Sequence, residues 1–173
     1  MKNLFTGIFI FLLTLAIIAQ SKKEKGLPKF NSYPPLGKFK GKKAKLVMER
    51  QHAFRTRMRE AYSQKPNFAG HYIIGDWGCG APCRSVVIFD ANTGRQVGGL
   101  RVSNWAGSST FPCSIHDPME YHLNSRLLIV YGSLDDQKTG IYYFVLGKNS
   151  LKQIWTIEEI EQLKKHPGCN SPA

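Results

Sequence analysis

Between Gly70 and Ile157 the chain is a succession of short runs rich in Val, Ile, Tyr, Phe and Trp, each bounded by turn residues. This pattern constrains the fold more than any other, because extended runs of that length must pair with one another. The runs are His71–Ile74, Arg84–Asp90, Arg95–Arg101, Arg126–Tyr131, Ile141–Leu146 and Leu151–Ile157. Asp90-Ala-Asn-Thr-Gly94 and Gly147-Lys-Asn-Ser150 read as tight hairpin connections, the first with Gly94 free to take positive φ. Connections this short predict an antiparallel meander rather than parallel crossovers. Leu127-Leu-Ile-Val-Tyr131 is apolar at every position and predicts a central strand covered on both faces. Leu151 to Ile157 reads as an outer strand, with Leu151, Trp155 and Ile157 on one face and Lys152 and Thr156 on the other.

Two helices frame these strands. From Lys43 to about Gln64, Val47, Phe54, Met58 and Ala61/Tyr62 recur at helical spacing, and the pattern stops before Pro66. The stripe predicts a helix packed on the domain, its basic face in water. After the last strand, Thr156 and Glu159 have capping-box spacing, and Lys164-Lys165-His166 precede Pro167-Gly168. The expected class is therefore mainly β (α+β): a meander of about six to seven strands, one N-terminal amphipathic helix and one short C-terminal helix. The longest connection, Ser103 to Glu120, is of the length that often carries function or a cross-link.

The N-terminus sets an expected compartment. Lys2 precedes an almost wholly apolar stretch, Leu4 to Ala19, of 16 residues. That is short for a membrane span and right for a signal-peptide core, with cleavage expected after Ala19. Residues 1–19 are read as a signal peptide, 20–42 as a basic Pro/Gly/Lys linker, and 43–173 as one β domain with flanking helices. The predicted location is periplasmic or secreted.

Charge location sharpens this division. The whole chain carries a formal +12, yet residues 22–60 hold thirteen Lys+Arg against three acids and residues 61–173 are close to neutral. The charge belongs to an arm that includes Lys40, Lys42 and Lys43. Export argues against nucleic acid as partner and for an envelope protein, anionic lipid headgroups or a cell-surface polymer, with membrane contact at most peripheral.

Four cysteines occur, at 79, 83, 113 and 169. An even number in an oxidising compartment implies disulfides, and three connectivities are possible. Cys79–Cys83 with Cys113–Cys169 is the favoured pairing, the first closing a Gly/Pro turn and the second tying the long loop to the C-terminal tail. Three other chemistries use the same neighbourhood. Cys79-Gly-Ala-Pro-Cys83 is one residue longer than the redox Cys-Gly-Pro-Cys, and strand rather than helix follows it, without the dipole that activates such thiols. Cys79, Cys83, Cys113 and His116 are zinc-ligand types, but oxidation would consume the thiols. His71 with Asp76, or His116 with Asp117, supplies the histidine–carboxylate part of a hydrolase, with no nucleophile elbow and no His-Glu-x-x-His. Gly78 and Gly80 suit an anion nest, without the Gly-Lys-Ser/Thr of a nucleotide loop. Trp77 and Trp105 are candidates to line a groove. His52, His122 and His166 read as surface or edge residues. No cofactor and no resident metal is expected.

Phe54-Arg-Thr-Arg57, Pro66-Asn-Phe-Ala-Gly-His-Tyr72, Trp77-Gly-Cys-Gly80 with Cys83, and Asp90-Ala-Asn-Thr-Gly94 resemble the motifs of a family of exported bacterial proteins with no established function. The resemblance covers roughly Phe54 to Ile157. It implies bacterial origin, export, and Cys79/Cys83 acting as a unit, and it carries no catalytic assignment. The lysine-rich linker and the Cys113/Cys169 pair depart from the pattern. The function expected is non-catalytic binding at the cell envelope. One version is an inhibitor or immunity-like protein that blocks an enzyme with its Trp105–His116 loop. The alternative is a His/Asp hydrolase.

Overall fold

The computed structural model describes residues 26–48, 54–105, 117–135 and 137–169. The expected signal peptide, Cys113 and His116 lie outside the described residues. Seven strands form one antiparallel sheet: β1 (Tyr72–Gly80), β2 (Cys83–Asp90), β3 (Gln96–Ser103), β4 (Met119–Tyr121), β5 (Leu127–Leu134), β6 (Gly140–Leu146) and β7 (Leu151–Ile157). Their order is β1-β2-β3-β5-β6-β7, with β4 also paired to β5. Two helices accompany them, α1 (Arg55–Ser63) and α2 (Ile160–Lys164). The mainly β class and the meander order are as the sequence predicts. The extra strand is β4, inside what reads as a loop, where three residues are too few to show a period.

The two halves of the sheet are joined where β3 meets β5 through only two residue pairs, Val102 with Leu134 and Ser103 with Ser133. A central core draws Ile74, Val86, Ile88 and Val102 from one half and Met119, Leu128, Val130 and Tyr142 from the other. The outer face of β5–β6 packs Ile129, Tyr131, Ile141 and Tyr143 against Leu163 of α2. The outer face of β1–β2 packs Ile73, Val87 and Phe89 against Met58, Ala61 and Tyr62 of α1. Every residue of β5 is buried, the central strand that its unbroken apolar run predicts.

β7 lies at the sheet edge, as expected, but its faces differ from the alternation read in the sequence. The register shifts between Tyr143 and Phe144, so Ile154 is an extra residue in β7. Leu151 then packs into the central core, whereas Trp155 and Ile157 pack on the α2 side. One bulge is enough to reverse a strand's faces.

The basic segment before α1 also differs from expectation. Helix begins at Arg55, not near Lys43. Ala44 and Val47 instead donate backbone hydrogen bonds to the carbonyls of Ala91 (2.9 Å) and Gly94 (2.8 Å). Phe39, Leu46 and Met48 pack inward on the α1 side while Lys38, Lys40, Lys45 and Val47 face outward. Gly94, at φ 72°, lies so close to the Lys45 carbonyl that a Cβ would collide with it. Earlier in the segment, Arg126 donates its N–H to the Tyr33 carbonyl, and Leu27, Phe30 and Tyr33 pack on the outer face of β5–β6. Residues 26–48 form a strap across the domain. Its alternating pattern mimics helical spacing only when Val47 is joined to Phe54.

The C-terminal helix lacks the expected capping box. Thr156 belongs to β7, and Glu159 is itself the N-cap, with no side-chain cap bond.

Candidate functional site

The β1–β2 hairpin ends in a covalently closed tip. Cys79 and Cys83 are bonded, with Cα atoms 5.1 Å apart. Both belong to strands, so neither has the helix N-terminus that activates a redox thiol. Their sulfurs are committed to each other and offer no thiolate to a metal. Cys169 is also disulfide-bonded, and its expected partner Cys113 lies outside the described residues.

One face of the hairpin carries Trp77, on the α1 side. Phe54, immediately before α1 and 55% exposed, packs its ring against it at a tilt of 39°, with centroids 5.9 Å apart. Strand register sets Trp77 opposite Ser85, and Ser85 opposite the exposed Arg101. Trp77 thus stands on the cross-linked hairpin, Phe54 reaches it from the start of α1, and Arg101 lies on the same face two strands away. The other face carries an Arg84–Asp76 ion pair at 3.0 Å, with the Arg84 guanidinium 5.8 Å from the Trp105 ring. Trp77 and Trp105 therefore sit on opposite faces and do not line a common groove. Gly78 and Gly80 lie in β1, paired with Arg84 and Cys83.

Of the histidine–carboxylate sets, His71 with Asp76 is not assembled, and His116 of the second lies outside the described residues. His71 precedes β1 and Asp76 lies five residues on, roughly 16 Å along an extended chain. His71 Nε2 faces Asp90 Oδ1 at 3.6 Å instead, while the Asp90 carboxylate also accepts from the Asn92 N–H and the Thr93 hydroxyl. The imidazole is buried against Gly37 of the strap. Asp117 accepts a hydrogen bond from the Met119 N–H (3.1 Å). Among the described residues, no group of three His, Cys, Asp or Glu side chains could hold a metal ion.

The three arm lysines have different roles. Lys43 turns inward: its Nζ donates to the carbonyls of Tyr62 (2.7 Å), Ser63 (2.9 Å) and Gln64 (2.9 Å), closing the C-terminus of α1. It also lies 5.0 Å from the Tyr62 ring. Lys40 and Lys42 are exposed. The Lys40 N–H donates to Asn92 Oδ1 (3.0 Å), and Asn92 Nδ2 donates to the Lys38 carbonyl (3.2 Å).

A buried polar group escapes sequence reading. His166, expected at the surface, is 6% exposed, and its Nε2 lies 2.6 Å from the Tyr143 hydroxyl. The Tyr131 hydroxyl donates to Glu120 Oε2 at 2.9 Å. Burial pushes the Tyr143 hydroxyl up to about 12, helped by the Glu120 charge, and raises Tyr131 for the same reasons. Burial lowers His166, against a smaller opposing pull from Glu120. The histidine that meets Tyr143 comes from 23 residues further along, so no local pattern marks the pair.

The quoted motifs have structural uses here. Asn67 holds both backbone groups of Ile74, accepting its N–H (2.8 Å) and donating to its carbonyl (2.9 Å). Phe68 and Ala69 are fully buried, and the Gly70 N–H donates to the Leu123 carbonyl. No family model, no curated protein and no solved structure matches the chain.

Proposed function

We propose that the protein is an exported, non-catalytic binding domain of the bacterial envelope, and that it engages another envelope protein through the Phe54–Trp77 pair. The exposed aromatic pair carries this reading: Phe54 is 55% exposed yet packs against Trp77 at the neck of a disulfide-closed hairpin. Aromatic residues beside an arginine are the composition of protein-interface anchors. A covalently closed hairpin holds Trp77 in place before binding, which reduces the ordering cost on association. Export is supported by the apolar Leu4–Ala19 stretch after Lys2 and by disulfide bonding of Cys79, Cys83 and Cys169.

The test is capture from a detergent-solubilised envelope extract, comparing the wild-type chain with Phe54→Ser/Trp77→Ser. Near-UV circular dichroism of the tyrosine-rich core serves as the folding control. Loss of a discrete captured protein in the folded double variant supports the reading. Equal capture by both proteins contradicts it.

A further inference from the structure

We propose a second site: the strap is a docking track for a linear polyanion, held along Lys38, Lys40, Lys42 and Lys45. All four lysines are exposed, and none makes an ion pair with a described residue. Arg95, next to Gly94 in the β2–β3 turn, adds a fifth exposed cation beside Lys45. The nearest acid in that turn, Asp90, is turned away into bonds with Asn92, Thr93 and His71. Among the described residues, the positive charge on this track therefore has no local neutralising partner.

The backbone under these lysines is pinned. Asn92 grips Lys38 and Lys40, Ala91 accepts from Ala44, and Gly94 accepts from Val47. Phe39 and Leu46 anchor the strap from beneath. Lysines on a free linker would pay chain-ordering entropy on meeting a ligand, and these do not. The eight residues from Lys38 to Lys45 span at most about 25 Å. The four cations recur along one exposed segment of eight residues, Lys38 to Lys45. A chain of anionic groups can occupy all of them together, whereas a single small anion can meet one or two. Lysine ammoniums act as point charges and set no fixed geometry, so the ligand class is a linear polyanion such as a phosphodiester polymer of the cell surface. A lipid bilayer fits less well. Most large apolar side chains of the strap point inward, and of these only Leu36, near its middle, and Val47, near its end, are exposed.

The track is separate from the Phe54–Trp77 patch. Lys43 caps the C-terminus of α1 while Phe54 precedes its N-terminus, so the two sites lie at opposite ends of that helix. Each can fail without the other.

The experiment is a titration of the purified protein with fluorescently labelled poly(glycerol phosphate) between 50 and 200 mM NaCl. A parallel arm uses phosphatidylglycerol vesicles. Binding is expected to weaken by about tenfold or more across that salt range, as release of counterions from several contacts requires. Lys38→Gln/Lys40→Gln/Lys42→Gln/Lys45→Gln is expected to weaken it by at least about tenfold at the lower salt, while the corresponding four Arg substitutions retain it. Phe54→Ser/Trp77→Ser is expected to leave it unchanged. Equal binding by the Gln variant, or tighter binding to the vesicles than to the polymer, overturns the proposal.

Discussion

Tyr143 and His166 meet in the interior, hydroxyl to Nε2 at 2.6 Å, and so fasten the end of α2 to the outer face of β6. Tyr143→Phe leaves a buried imidazole nitrogen without that partner. The expected loss is about 1–3 kcal/mol of unfolding free energy, read by urea denaturation.

The same imidazole makes stability depend on pH. Burial lowers its affinity for a proton in the folded state, whereas the unfolded chain takes one up near the ordinary value of 6.5. Below that pH the unfolded state binds more protons, so the His166 contribution is lost as pH falls through the range beneath 6.5. Above it both states are neutral and the contribution is constant. Unfolding free energies from pH 7.5 to 5 are expected to fall less steeply in His166→Gln than in the wild type. An unchanged slope would count against a buried, neutral His166.

Neighbouring lysines in the strap should behave differently. Lys43→Met removes a cation from three carbonyls at the end of α1 and from the face of Tyr62, and is expected to cost about 1 kcal/mol. Lys42→Met, at an exposed position, is expected to change stability by less than about 0.5 kcal/mol. Thermal or urea melts of the two variants side by side check this.

α1 approaches β1 at Gly75, where a Cβ would collide with the Ala61 methyl and backbone. Gly75→Ala is expected to destabilise by about 1–3 kcal/mol through overpacking. Ala61→Gly alone costs helix propensity, about 1 kcal/mol. Removing the Ala61 methyl makes room for the added Cβ, so the double variant is expected to lose less than the sum, a coupling that a double-mutant cycle measures.

Asn67 acts as a clamp on Ile74 through one donated and one accepted hydrogen bond. Asn67→Ala strips both and is expected to cost about 1–3 kcal/mol. Asn67→Asp keeps the acceptor for the Ile74 N–H but sets a carboxylate against the Ile74 carbonyl, so it should not restore stability. Denaturation midpoints for the three proteins decide the order.

Much of the sheet was legible because period-two alternation and turn chemistry are local signals. The unbroken apolar run at Leu127–Tyr131 announced a buried strand, and Asp90–Gly94 announced its turn. What the sequence hid was non-local. The strap reads as a linker because Pro, Gly and Lys carry no period, while its fastenings, Asn92, Gly94 and Arg126, lie about fifty to ninety residues away. The bulge at Ile154 depends on how β7 meets β6, and no local signal marks it. His166 looked exposed beside two lysines, and its burial comes from Tyr131 and Tyr143 on other strands. The hydrolase candidates gathered near one another in sequence, yet an extended strand carries His71 and Asp76 apart.

Whether the basic arm is a folded part of the domain is tested most directly by amide exchange, residue by residue, under native conditions. The Lys40, Ala44 and Val47 amides donate to Asn92, Ala91 and Gly94, so they are expected to exchange well below random-coil rates. Random-coil exchange at all three would contradict a pinned strap and, with it, the fixed row of lysines.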